Sequence, residues 1–142
     1  MRKPRVVLDT NVWVSGLLWT GRPHEILRAV ENGSLTLVVS PAIVEEIAEA
    51  LARPKFADRA TTLWTSVREL MESLLRLVEV CVPRRVVPVV TADPEDDKIL
   101  ACARAARAQW RISGDVHLLT VGLYHGIRIV DPRTFLAAWQ AD

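Results

Sequence analysis

Two apolar patterns alternate along the chain. Short apolar runs at Val6–Leu8, Leu35–Val39, Val78–Val82, Trp110–Ile112 and Ile127–Val130 predict strands, the first rich in β-branched residues and buried. Between them, apolar residues recur at helical spacing. Asn11–Trp19 carries Val12, Val14, Leu17 and Leu18, and His24–Glu31 carries Ile26, Leu27 and Val30. The helix opened by Ser40-Pro41 carries Ile43, Val44, Ile47 and Leu51, and Thr61–Leu77 carries Leu63, Val67, Leu70, Leu74 and Leu77. Gly21, Pro23, Asn32-Gly33 and Arg53-Pro54 punctuate these segments. Val86–Val90 is apolar but contains Pro88, which demotes it to a loop or edge segment. Asp93-Pro94 opens a helix reaching about Ala108, Val116–Thr120 forms a short one, and Asp131-Pro132 opens the last. Strands alternating with helices predict an α/β fold with a parallel sheet covered on both faces. With no repeat or linker, residues 1–142 are expected to form one domain.

Composition adds little to that pattern. At 142 residues, 50% hydrophobic and 25% charged, the chain has the make-up of an ordinary globular domain that needs no staples. Its net charge of +1 excludes a global basic field, so any nucleic-acid contact must rest on local charge. The two cysteines, Cys81 and Cys102, lie in apolar or alanine-rich surroundings without metal-type spacing. They read as small buried hydrophobes in a reducing compartment. No apolar run precedes Asp9 as a signal peptide would require, and none reaches membrane-spanning length. The expectation is a soluble cytoplasmic protein without a membrane partner.

The acidic residues change the picture, because they fall where the elements begin and end. Asp9 directly follows Val6–Leu8, at the strand exit where open α/β sheets meet their ligands. Thr10 and Asn11 add a hydroxyl and an amide oxygen there, although Asp9 or Thr10 also reads as a cap for the next helix. Glu45 and Glu46 lie near the start of the helix after Ser40-Pro41, where the helix dipole favours negative charge. Glu46 stands three residues after Ile43 and borders the buried stripe, whereas Glu45 turns toward solvent with Glu49. The run Asp93-Pro94-Glu95-Asp96-Asp97-Lys98 is the densest; Lys98 replaces the glycine of a calcium loop and the distal glutamate is missing, which excludes one. Asp93 and Pro94 suit a helix start. Asp97 borders a buried face, where an unpaired carboxylate costs several kcal/mol. Asp115 follows Ile112-Ser113-Gly114 in an exit like that at Asp9, and also reads as a turn or cap residue. Oxygen donors delivered by separate elements point to a hard divalent cation.

Taken in order, these segments resemble the PIN-domain ribonucleases, and especially the VapC-type toxins of bacterial toxin–antitoxin modules. The resemblance is carried by Val7-Leu8-Asp9-Thr10-Asn11-Val12, Leu37-Val38-Val39-Ser40 with Glu46-Ile47, Asp93 through Ala101, Ser113-Gly114-Asp115, and Gly126–Val130 with Pro132. It spans nearly the whole chain. It implies a three-layer α/β/α sandwich with a central parallel sheet, a single PIN-like domain over residues 1–142. It further implies catalytic, Mg²⁺- or Mn²⁺-binding acids at Asp9, Glu46, Asp97 and Asp115, supported by Asn11 and Ser113, with Thr10, Asp93 and Lys98 at the margin. One departure is His117, which stands where members often carry a further acid; a histidine there suits Mn²⁺ or an RNA contact. The family also implies a homodimer held in check by a cognate antitoxin.

The activity so implied is metal-dependent endonucleolytic cleavage of RNA, in which a bound cation activates water and neutralises charge on the phosphate. Lys98, Arg22 and Trp13 are the basic and aromatic candidates to guide RNA, the latter two reading equally well as solvated and packing residues. A phosphatase using Asp9 would want a second aspartate where Asn11 stands, and a receiver domain would want paired acids there. A catalytically silent PIN-like module that binds RNA or protein is the remaining alternative. His117 favours it, and the four retained acids argue against it.

Overall fold

The computed structural model describes residues 3–82, 102–104 and 107–140. The segment 86–90 and most of the helix expected from Asp93 lie outside the described residues, and 102–104 is helical. In chain order the elements are β1 (Arg5–Leu8), α1 (Thr10–Leu18), α2 (Arg22–Glu31), β2 (Thr36–Val39), α3 (Pro41–Leu51), α4 (Pro54–Thr62) and α5 (Trp64–Leu77). There follow β3 (Glu79–Val80), β4 (Trp110–Ile112), α6 (Val116–Val121), β5 (Leu123–Tyr124), β6 (Ile127–Val130) and α7 (Pro132–Gln140).

The six strands form one sheet in the order β3-β2-β1-β4-β6-β5. All neighbours pair parallel except β5 with β6. Val6, Val7, Leu8, Leu37 and Val38 have no exposed surface, as the unbroken apolar runs of a central parallel sheet require. The chain leaves β1 toward β2 on one side and reaches β4 on the other. The crevice between the C-terminal ends of β1 and β4 is therefore a topological switch point, the usual ligand position in such sheets.

Two departures from the periodicity have local causes. The helix expected over Thr61–Leu77 is preceded by α4 and broken at Leu63, whose φ and ψ of −99° and 14° are not helical. Arg53-Pro54, read as a stop, is also a start: Arg53 is extended and Pro54 occupies the first position of α4. Of α4 only Ala60 is buried, and Phe56 and Ala57 on the same side are half-buried. At the far edge, His125 and Gly126 both take positive φ (49° and 82°), making the tight turn that joins the two-residue β5 to β6.

Candidate active site

Three of the parallel strands deliver a polar residue at their C-terminal ends: Asp9 after β1, Ser40 after β2 and Ser113 after β4, all buried. Ser40 is structural, since its Oγ accepts from the Ile43 amide at 3.2 Å and caps α3. Asp9 is not a cap. It precedes α1, yet its side chain makes no capping hydrogen bond. Its Oδ1 accepts instead from Nε of Arg111 at 2.6 Å. The register explains the meeting: Val7 pairs with Arg111 and Leu8 with Ile112, and the Asp9 amide continues the ladder to the Ile112 carbonyl at 3.0 Å. Side chains alternate faces along a strand, so Arg111 shares a face with Val7 and with Asp9 two residues on.

Arg111 is wholly buried, and the sequence reading did not single it out. A signal was present. A guanidinium in the middle of a central strand has no route to solvent, and leaving an ion uncompensated there costs several kcal/mol. A counter-charge on an adjacent strand was therefore required, and Asp9 is that carboxylate.

Glu46 arrives from α3, buried, with Glu45 beside it exposed, as the spacing from Ile43 predicts. Thr10 Oγ1 donates to Glu46 Oε2 at 3.0 Å, which ties α3 to the first residue of α1. Glu46 is thus anchored next to the residue that follows Asp9. On the β4 side, Ser113 is buried and its Oγ accepts from the Asp115 amide at 3.0 Å, shaping the exit turn. Asp115 caps α6, its Oδ1 accepting from the His117 amide at 2.8 Å, and His117 itself is exposed. Asn11 is exposed on the first turn of α1. Asp93, Asp97 and Lys98 lie outside the described residues.

The structure thus brings Asp9, Thr10 and Glu46 together at one end of the sheet and sets Ser113 on the adjacent strand exit. Among the described residues, no three acidic, histidine or cysteine side chains form a metal-holding group. The donors that do gather are carboxylate and hydroxyl oxygens. They fit Mg²⁺ or Mn²⁺ in kind, because Mg²⁺ takes only one or two carboxylates and keeps several waters. Of the residues considered for guiding RNA, Trp13 belongs to the core with no exposed surface, and Arg22 is exposed at the start of α2. Cys102 is buried and Cys81 half-buried; burial pushes the Cys102 thiol up to about 12.

An acid-bearing strand exit at the switch point of a mostly parallel sheet defines the class, and sequence comparison agrees with it. The chain belongs to the PIN domain family, whose sequence profile matches residues 5–117. Among solved structures it is similar to a chain of VapBC2 from Rickettsia felis, solved bound to a DNA fragment from its promoter. The identity is 11%, the TM-score 0.57, and the match covers 88% of this chain and 96% of that one. It is also similar to the PIN domain of human SMG5, at 13% identity and a TM-score of 0.53, over 96% and 99% of the two chains. Both likenesses concern the fold. No curated protein sequence matches the chain significantly. Among the described residues, no helix is long and apolar enough to cross a membrane.

Proposed function

We propose that the chain is a Mg²⁺- or Mn²⁺-dependent endoribonuclease acting as the toxin of a toxin–antitoxin pair. The observation that carries this reading is the burial of two carboxylates, Asp9 and Glu46, at one sheet edge, linked through Thr10, in a member of the PIN domain family. Asp9 and Glu46 would hold the cation, together with Asp97 and Asp115. The bound cation supplies an activated water and neutralises charge on the scissile phosphate. Arg111 fixes the orientation of the Asp9 carboxylate. Thr10 orients Glu46 in the same way, and Ser113 with Asn11 shapes the rim.

The partner belongs to the same reading. VapBC2 was solved bound to a DNA fragment from its promoter, and this chain carries an apolar surface suited to a helix from a second protein. An apolar groove of about 800 Å³ runs between α3, α4 and α5, with Trp64 and Leu75 exposed along it. This groove would accept an antitoxin helix, and the family resemblance leads us to expect a homodimer as well.

A second reading, a silent PIN-like module, is favoured by the Arg111–Asp9 pair, which spends positive charge on the acid a metal would use. The two separate in one assay. Purified protein is titrated with Mn²⁺ and with Mg²⁺ while cleavage of single-stranded RNA is followed, with EDTA and Asp9→Asn as controls. Cleavage that starts with metal and disappears in both controls supports the nuclease. Cleavage that survives EDTA, or no cleavage in a preparation that still binds Mn²⁺ calorimetrically, removes it.

A further inference from the structure

A cavity of about 490 Å³ lies along one face of α1 and differs in lining from the apolar groove. It is lined by Asn11, Ser15 and Trp19 on one side and by Arg53, Lys55 and Phe56 on the other. Asn11, Ser15 and Trp19 are spaced by four residues, so they form a stripe down α1 that ends just past its last residue. The stripe begins beside Thr10 and ends roughly 12 Å away, at 1.5 Å of rise per residue. Asn11, at the near end of the stripe, is the next residue along α1 from Thr10.

Its chemistry is aromatic and cationic. Trp19 is 41% exposed, so part of a large aromatic side chain is open to a ligand. The ring is nevertheless held firmly. Phe56 packs edge-on against it at 6.0 Å between centroids and 70° between planes. The Arg59 guanidinium carbon lies 4.8 Å from the ring centre, and Arg59 Nε donates to the Leu18 carbonyl at 2.6 Å. Lys55 Nζ lies 5.2 Å from the Phe56 ring centre. Arg53, Lys55 and Arg59 concentrate positive charge where Asp58 is the lone acid between residues 53 and 59, on a chain whose net charge is only +1. Rigid rings interleaved with cations match an unpaired nucleotide, whose base stacks on an aromatic face and whose phosphate needs a positive partner.

We infer that this cavity is a binding subsite for one unpaired nucleotide of single-stranded RNA. The base stacks on Trp19, and Arg53 and Lys55 hold the phosphate. The strand then leads past Ser15 and Asn11 to the carboxylates of Asp9 and Glu46. The inference rests on the nuclease reading for its substrate class and names where that substrate is gripped. The acidic edge alone repels phosphate, so a cationic hold one helix length away resolves how RNA approaches it.

The test is binding without cleavage. The full-length protein in EDTA is titrated into a fluorescein-labelled single-stranded RNA decamer, and anisotropy is followed over a series of salt concentrations. Trp19→Ala weakens binding about tenfold, whereas Trp19→Phe keeps most of it. Arg53→Ala and Lys55→Ala each weaken binding and lower the slope of log K against log salt by about 0.7. Arg76→Ala, which removes an exposed charge from α5, leaves both unchanged. A decamer with abasic sites binds wild type and Trp19→Ala equally. Far-UV circular dichroism confirms that each variant is folded. Wild-type protein that fails to bind RNA in EDTA overturns the subsite, as does a Trp19→Ala, Arg53→Ala or Lys55→Ala variant that binds within twofold of wild type. Antitoxin binding lost in these variants while RNA binding persists assigns the cavity to a protein. Protein that binds as described but never cleaves with metal keeps the subsite and removes only the nuclease.

Discussion

Arg111 Nε donates to Asp9 Oδ1 at 2.6 Å, and no part of the arginine reaches solvent. The best-placed acid of the candidate site is therefore also half of a buried ion pair spanning two central strands. Removing one partner of such a pair leaves an uncompensated charge and costs about 3–5 kcal/mol. Arg111→Met should lose stability on that scale in urea denaturation, with an unchanged slope. Asp9→Asn should lose a comparable amount, because the buried guanidinium stays charged and an amide oxygen only partly replaces the carboxylate. The double variant should be more stable than Arg111→Met alone. Arg111→Met as stable as wild type would show that the pair contributes nothing. Loss of activity in Asp9→Asn has to be set against its stability before it is credited to metal binding.

Thr10 offers a change near the site with less structural consequence. Its hydroxyl donates to Glu46 Oε2 at 3.0 Å, and its methyl group survives in valine. Thr10→Val removes that hydrogen bond from the Glu46 carboxylate and should reduce Mn²⁺ affinity or RNA cleavage by about 10–100-fold. Thr10→Ser should restore most of it. The unfolding free energy from chemical denaturation is expected to fall by no more than about 1 kcal/mol, the worth of one ordinary hydrogen bond. Equal metal affinity in all three proteins would remove Thr10 from the site.

The sequence made the fold readable wherever burial was complete. Val6–Leu8 and Leu37–Val39 could be little other than central strands, and Ser40-Pro41 announced α3 through a side chain that does cap it. Glu46 was separable from Glu45 because three residues after Ile43 is a buried position on a helix. Where few residues are buried, the pattern fades: α4 has only Ala60 buried, and β5 is two residues long. Arg111 was missed for a different reason. Periodicity reports apolar residues, and the partner of a charged residue in a strand is fixed by register, which emerges only when β1 and β4 are laid side by side. Trp19 and Phe56 likewise become a pair only when the start of α4 folds back onto the end of α1.

Gly16 tests the packing that holds α1 in place. A Cβ built there would lie 2.6 Å from Leu27 Cδ1 and 3.0 Å from the Pro23 carbonyl oxygen. Alanine is favoured over glycine in a helix by about 1 kcal/mol. Against that stands overpacking, typically about 1–3 kcal/mol, and Leu27 is fully buried with nowhere to swing. The clash should win, so Gly16→Ala is expected to lower the melting temperature. Leu27→Ala in the same chain should relieve part of the clash, giving a double variant less destabilised than the two single losses combined. A stabilised Gly16→Ala would mean that α1 and α2 separate freely.

The last helix supplies a pH dependence whose sign follows from one hydrogen-bonded carboxylate. Asp131 precedes Pro132 at the start of α7, and its Oδ1 accepts from the Thr134 amide at 2.7 Å. The Thr134 hydroxyl first, then that amide, hold the Asp131 carboxyl below its ordinary value of 3.8. A carboxylate held low in the folded state stabilises the protein fully above its unfolded pKa and loses that contribution as pH falls through the folded one. At neutral pH, Asp131→Ala should cost about 1 kcal/mol, the usual worth of an N-cap. The gap between wild type and variant should stay constant down to about pH 5 and close below about pH 4, where the unfolded carboxyl takes up its proton. Asp131→Asn, which can still cap but cannot ionise, should show a smaller loss with no such closure. Urea denaturation across that range measures all three proteins, and a gap that widens on acidification would contradict the assignment of Asp131 as an ionised cap.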